Sequence, residues 1–167
     1  MEGSRRKGLL DELQQGVPFH SKTQEAFLSL LRTADVAKRR FSEVFDGETI
    51  TFQQYNVLRI LRGAGEGGLP TLDIGERMIE RQPGVTRIVD RLEKKGWVTR
   101  DRGVDDRRRV WCRITPEGID LLARLDEPVN ATDRTIFASL AEEDIERLVH
   151  LLEELRGQAQ STSDRDV

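Results

Sequence analysis

Residues 81–98 read RQPGVTRIVDRLEKKGWV, and their spacing predicts one amphipathic helix from about Pro83 to Lys95. Proline suits a first turn, where its missing N–H has no partner to lose, and Gly84 would let the backbone approach another surface closely. Apolar side chains recur at helical spacing and should face a core: Val85, Ile88, Val89 and Leu92. The opposite face carries Thr86, Arg87, Arg91 and Lys94. The pattern therefore predicts a helix with one core face and one mainly basic face.

The chain after this helix alternates between apolar and charged residues, as paired strands do. The alternation predicts strands Val98–Arg102 and Arg109–Ile114. In the second strand the residues expected to face inward are Val110, Cys112 and Ile114, and those expected to face outward are Arg109, Trp111 and Arg113. The tip between the strands is charged and has almost no apolar anchor, so it should project into solvent.

A capped helix is also predicted to start at Thr71, ahead of the basic helix. Two short helices, a basic helix and a hairpin, in that order, form a winged helix-turn-helix. The fold class predicted is mainly α with a small β-hairpin wing, flanked by N- and C-terminal helices. This order predicts binding to double-stranded DNA.

The start of the second helix in such a unit meets base edges in the major groove. The predicted DNA contacts on this side are Thr71, Gln82, Pro83, Gly84, Thr86, Arg87 and Arg91. Arg87 could pair with guanine O6 and N7, and Gln82 with adenine N6 and N7. The alternative is a solvated amphipathic helix stabilised by an Asp90–Lys94 ion pair.

The hairpin tip supplies a second group of predicted DNA contacts: Asp106, Arg107, Arg108 and Arg109. An arginine there could enter a narrow, A·T-rich minor groove, where negative potential is concentrated. Asp106 is assigned to orient Arg108, because a carboxylate can hold a guanidinium in a planar pose. The alternative is a charged turn that only solubilises the end of the hairpin.

The segment 81–98, followed by residues 106–110 (DRRRV) and 114–118 (ITPEG), closely resembles MarR-type transcription regulators. The resemblance implies a homodimer on a pseudo-palindromic operator, with recognition helices in major grooves and wing arginines in minor grooves. It also implies control by a small-molecule effector or an oxidant. Two residues depart from the family pattern: Gly75 stands where alanine is usual, and Ala141 where a serine or threonine cap is common.

The net charge of −3 hides a strong local imbalance along these 167 residues. Residues 1–76 carry −1, residues 77–113 carry +6 and residues 114–167 carry −8. The positive charge therefore coincides with the predicted DNA contacts, and the local field governs affinity for DNA more than the total charge does.

The chain length suits a single domain spanning 1–167. Residues 51–114 form the predicted winged helix-turn-helix, and residues 21–48 and 115–157 the predicted dimerisation helices. Thr51 and Gln54 form a predicted capping box, Thr115 is a predicted cap, and Gly157 is expected to end the last helix. Residues 1–7 and 158–167 are expected to be disordered tails. The apolar seams of the flanking helices could equally be intrachain core.

Several other functions are disfavoured by the sequence. No apolar run is long enough to span a membrane, so a cytoplasmic protein is expected, and no metal-ligand spacing or cofactor motif is present. Cys112 is expected to be buried and without a paired base, which argues against an enzyme and against redox sensing. If an effector pocket exists, Tyr55, Trp97 and Trp111 are the candidates to line it.

These observations predict a sequence-specific, DNA-binding transcription regulator, most simply a homodimeric repressor released by a small ligand. The alternative function is a winged-helix module whose arginine-rich wing binds an acidic protein partner. The sequence features shared by both are the exposed basic helix and the charged hairpin tip.

Overall fold

The computed structural model describes residues 8–81, 83–102 and 110–163. The helices are α1 (Leu9–Glu12), α2 (Lys22–Asp46), α3 (Phe52–Ala64), α4 (Thr71–Arg77), α5 (Val85–Lys94), α6 (Pro116–Phe137) and α7 (Glu142–Ser163). The strands are β1 (Leu69–Pro70), β2 (Val98–Arg102) and β3 (Val110–Ile114). The predicted fold class, mainly helical with a small antiparallel sheet, is confirmed.

The sheet has three strands in the order β1-β3-β2, all antiparallel. In the hairpin Val98 pairs with Ile114 and Arg100 with Cys112, while Leu69 of β1 pairs with Cys112 from the other side. Strands β2 and β3 were predicted, but β1 was not. A two-residue strand shows no alternation, and its proline is tolerated because it lies at a sheet edge.

The chain forms two compact units, residues 1–122 and residues 123–167, which divide within α6. The core of the first unit is made of side chains with no or almost no exposed surface: Phe45, Val57, Leu58, Leu61, Ile74, Val89, Leu92, Val98, Cys112, Leu121 and Leu122. In the second unit Leu125 and Val129 of α6 are buried. Leu121, Leu122, Leu125 and Val129 thus form the buried face of α6.

Side-chain caps begin two of the helices as predicted. The Thr51 hydroxyl accepts from the Gln54 N–H at 3.2 Å, and the Gln54 side chain accepts from the Thr51 N–H at 3.1 Å, which completes the capping box of α3. The Thr115 hydroxyl accepts from the Gly118 N–H at 3.1 Å and caps α6.

Helix α4 begins at Thr71, as predicted, but the predicted side-chain cap is not formed. Pro70 occupies the N-cap position of α4 and makes no side-chain cap. The Thr71 hydroxyl instead donates to the Val110 carbonyl on β3 at 3.4 Å and lies 3.4 Å from the Cys112 sulfur. Because β1 runs directly into α4, the first residue of the helix is held against the sheet.

Helix α5 begins two residues later than predicted. Pro83 precedes it in a turn, and Gly84 is its N-cap with φ of 111°. A Cβ on Gly84 would meet no atom of this chain within 4 Å, so within the chain only the backbone angle calls for glycine. Only glycine adopts this conformation at little cost, which explains its place before the helix.

Helix α7 continues through Gly157 to Ser163, so the predicted end at Gly157 and the predicted tail from residue 158 were wrong over this range. Gly157 does not adopt a positive φ. Glycine inside a helix costs only about 1 kcal/mol relative to alanine, and the residues after it tolerate a helix. The tail predictions for residues 1–7 and 164–167 lie outside the described residues. The four-residue helix α1 was not predicted.

None of the helices in the described ranges combines the length and the apolar character needed to cross a membrane.

Gly118 provides a test of the packing between α6 and the turn before β2. A Cβ there would lie 2.5 Å from the Trp97 carbonyl oxygen and 2.8 Å from Cγ1 of Ile114. We expect Gly118→Ala to lower the free energy of unfolding by about 1–3 kcal/mol, because the added methyl overpacks a backbone contact. Urea unfolding at one fixed protein concentration measures this.

Gly63→Ala is the matched control, because Gly63 also lies in a helix and its Cβ would meet nothing within 4 Å. This substitution should raise the free energy of unfolding by about 0.5–1 kcal/mol. Equal effects of the two substitutions would contradict the packing described for Gly118.

Candidate nucleic-acid interface

Helices α4 and α5 form the helix-turn-helix of the first unit. Val89 and Leu92 are completely buried and Val85 and Ile88 half-buried, which confirms the apolar face predicted for α5. A Cβ on Gly75 of α4 would lie 3.3 Å from Cγ2 of Val85. The glycine at this position therefore lets the two helices approach closely.

The polar face of α5 is open to solvent. Thr86, Arg87, Arg91 and Lys94 are all exposed, as are Pro83 and Gly84 in the turn before the helix. Five of the predicted DNA contacts, Pro83, Gly84, Thr86, Arg87 and Arg91, are thus exposed at or before this helix. Gln82, Asp106, Arg107, Arg108 and Arg109 lie outside the described residues, and Thr71 is half-buried with its hydroxyl directed to β3.

The turn between α4 and α5 is held by side chains that sequence reasoning missed. Asn56 is buried in α3, and its Oδ1 accepts from the Ile79 N–H at 3.0 Å. Glu80 forms an ion pair with Lys38 of α2 and accepts from Nε2 of Gln53 at 3.3 Å. Of these side chains, Asn56 could have been identified from the sequence, because an amide on the buried face of a helix needs a hydrogen-bond partner.

Arg100 of β2 joins the hairpin to α5. Its Nη1 lies 2.5 Å from Asp90 Oδ1, its Nε donates to Glu93 Oε2 at 2.9 Å, and its Nη2 also donates to Glu93. The hydrogen bond that Arg100 donates to Glu93 raises the pKa of Arg100 above its ordinary value, and the charges of both carboxylates raise it further, while burial lowers it. Asp90 therefore pairs with Arg100 of the hairpin, and the Asp90–Lys94 pair weighed as an alternative is not formed.

A second arginine ties the other hairpin strand to its surroundings. Arg113 Nη1 lies 2.6 Å from Asp101 on β2, and Arg113 Nε donates to the Glu66 carbonyl at 3.1 Å. Together these contacts fix the base of the hairpin relative to the turn that precedes β1.

An open cleft of about 1020 Å³ lies between α4, the start of α5 and the base of the hairpin. Its lining includes Leu72, Arg81, Pro83, Thr86 and Arg100. Leu72 is 75% exposed there, which is unusual for leucine on a helix that packs against a core. Of the predicted base-contacting residues, Pro83, Gly84 and Thr86 thus border the same concave surface as the hairpin base, whereas Arg87 does not line it.

Cys112 is completely buried at the centre of the sheet, as predicted. Burial raises the pKa of its thiol, and the nearby Glu93 charge also raises it, while the contact with Thr71 and the Arg100 charge act in the opposite direction. The protonated thiol is therefore the stable form. In the described part of the chain, no cluster of His, Cys, Asp and Glu is placed to hold a metal ion.

The three aromatic residues proposed for an effector pocket have separate surroundings. The Tyr55 ring is buried 4.8 Å from the Phe45 ring, and Lys95 lies 4.6 Å over the Trp97 ring. Trp111 pairs with Asp101 and Pro70 in the sheet. Three clefts formed by described residues are lined by other side chains. The assignment of Tyr55, Trp97 and Trp111 to an effector pocket therefore stays a prediction.

The sequence profile described as the MarR family matches residues 50–110. The homoprotocatechuate degradative operon repressor of Escherichia coli is 30% identical over 127 residues, which cover 76% of this chain and 84% of that protein. These matches span the helix-turn-helix and most of its flanks.

Two solved structures extend the similarity to the fold. The MarR transcription factor from Planctomyces limnophilus is 39% identical with a TM-score of 0.64, covering 81% of this chain and 98% of its own. NadR in complex with 4-hydroxyphenylacetate is 30% identical with a TM-score of 0.66, covering 83% and 97%.

The raised pKa of Cys112 gives a prediction for thiol chemistry. The native thiol should react with Ellman's reagent far more slowly than the same thiol in denaturing urea at about pH 8, because only the thiolate attacks. Since the folded pKa lies above the unfolded one, this residue's contribution to stability is complete below the unfolded pKa. It should be lost as pH rises above about 9. Equal native and denatured rates near neutral pH would contradict this and indicate an accessible, sensing thiol.

Proposed function

Because the chain belongs to the MarR family of transcription regulators, we propose that it is a homodimeric repressor that binds a pseudo-palindromic duplex operator. Members of this family are DNA-binding regulators and not enzymes. The observation that carries the proposal is the division of α5 into a buried apolar face and an exposed basic face.

The proposed roles follow from the geometry of α5. Arg87 lies near the helix start, where it can reach base edges in a major groove, and Arg91 lies one turn further along, where a phosphate contact is expected. Gln82, Pro83, Gly84 and Thr86 are proposed to approach the same groove. The wing residues Asp106 to Arg109 are proposed to reach the adjacent minor groove.

The dimer proposal rests on exposed apolar side chains of two helices. Phe27, Leu30 and Leu31 of α2 are 59, 43 and 52% exposed, and Leu151 and Leu155 of α7 are 47 and 59% exposed. Exposed apolar side chains that recur on one helix are typical of an interaction site. A second copy is the proposed partner, because a two-fold dimer reads two half-sites about 10 bp apart or a multiple of that spacing.

The similar proteins support two further proposals: that this protein represses transcription, and that a small ligand releases it from DNA. One relative is named a repressor, and a solved relative holds 4-hydroxyphenylacetate. In a dimer, the two helix-turn-helix regions lie at a spacing that either suits the operator or does not. A ligand that binds the unsuited spacing more tightly would shift the protein out of its DNA-binding form. A small aromatic acid is the class of effector to test first.

Selection from a random duplex pool at about 0.15 M salt tests the proposed function. Enrichment of a two-fold symmetric site supports a dimeric regulator and supplies its operator. Retention without sequence preference, or no retention, contradicts the proposal and favours the module that binds an acidic protein.

Arg87→Ala should weaken binding to the selected operator by roughly 1–3 kcal/mol, or about 5- to 150-fold, and relax preference at one position per half-site. Fluorescence anisotropy with single-base operator variants measures both effects. Lys22→Ala is the control, because it also removes one positive charge, from a side chain that is 95% exposed on α2, a helix with none of the predicted DNA contacts. An equal loss on every duplex would identify Arg87 as a phosphate contact.

Leu31→Glu should convert the dimer to monomers, because a carboxylate replaces an apolar side chain in the proposed interface. Sedimentation velocity measures the change. Thr33→Glu is the matched control, since it adds the same charge two residues away on another face of α2. A dimer that survives Leu31→Glu would place the interface elsewhere.

A further inference from the structure

Arg100 lies at an inward position of β2. Val98, two residues earlier, is 1% exposed, so the alternation of the strand directs residue 100 to the same side. A charged group at such a position requires partners, because its desolvation is otherwise costly. Its partners are two carboxylates of α5.

The contacts of Arg100 bridge two separate elements. Asp90 and Glu93 lie ten and seven residues before it in the chain, and the Arg100 side chain is only 27% exposed. Nη1 faces Asp90, while Nε and Nη2 both face Oε2 of Glu93. The planar guanidinium can satisfy both carboxylates at once, which a lysine ammonium on a flexible stem cannot do with the same geometry.

These contacts constrain the hairpin at its base. Strand β2 ends two residues after Arg100, and β3 resumes at Val110. The tip between them, which lies outside the described residues, carries the arginines proposed for the minor groove. Because β2 leads into this segment and β3 follows it, the position of β2 against α5 sets where the segment leaves the sheet.

We propose that Arg100 is a positioning residue that holds the hairpin to α5, so that the major-groove helix and the wing engage DNA as one unit. This inference rests on the proposed function. It assigns no DNA contact to Arg100 itself, whose donors are directed to Asp90 and Glu93.

The test measures how much the wing arginine Arg108 contributes to affinity in four backgrounds: wild type, Arg100→Gln, Arg100→Lys and the double variant Asp90→Asn/Glu93→Gln. In each background the dissociation constant for the selected operator with A·T-rich flanks is measured with and without Arg108→Ala. The two dissociation constants in each ratio come from the same background. The effect of that background's charge on overall affinity is therefore the same in both constants and drops out of the ratio.

In wild type the ratio should be about tenfold, which is the size expected of one DNA-contacting arginine. The ratio should fall below about twofold in the three other backgrounds, because the hairpin is no longer held in a fixed position relative to α5. An unchanged ratio in Arg100→Gln overturns the inference. A wild-type ratio in Arg100→Lys also overturns it, since charge alone would then suffice.

The double variant separates positioning from direct contact and retains Arg100 if Arg100→Gln fails to fold. If Arg100 itself bound phosphate, removing its carboxylate partners would tighten binding and leave the Arg108 ratio unchanged, which overturns the inference. Absence of specific binding by the wild type contradicts the proposed function. Specific binding with no effect of Arg108→Ala in wild type leaves the regulator in place and overturns the inference alone.

Discussion

Burial of one face of α5 is the constraint on which the candidate interface depends. Val89 and Leu92 have no exposed surface, and burying side chains of this size is worth roughly 1.5–3 kcal/mol each. Because an α-helix has 3.6 residues per turn, fixing these two positions fixes the rotation of the helix. Arg87 and Arg91 are then directed to solvent, with no contact of their own needed to place them.

An arginine of the hairpin, Arg100, pairs with the two carboxylates Asp90 and Glu93 of this helix. Two carboxylates on a helix that is proposed to approach phosphates would weaken binding, yet both are paired with Arg100. Cys112 lies in β3 of the same strand pair, where burial raises the pKa of its thiol. One region of the sheet thus joins the hairpin to α5 and buries the chain's single cysteine.

The turn that delivers α5 is held by two kinds of contact of unequal weight. The Lys38–Glu80 pair is partly exposed, and surface pairs contribute only about 0–1 kcal/mol. The buried Asn56 amide accepts from the Ile79 N–H, and losing such a partner leaves a buried polar group unsatisfied at a cost of about 1–3 kcal/mol. Asn56 therefore holds the turn, and Lys38 adds a weaker link from α2.

Local sequence patterns determined the longer helices and the hairpin strands of this protein, but not α1, β1 or the end of α7. Helical spacing in Val85–Leu92, strand alternation after Val98 and the capping residues Thr51 and Thr115 each act over a few residues, so they can be identified without tertiary structure. Only the tertiary structure decided the pairing of Leu69 with Cys112, the partners of Arg100 and the role of Thr71. Those contacts join residues that are distant in sequence or turned toward another element, and no periodicity encodes which partner a buried charge or an edge strand will find.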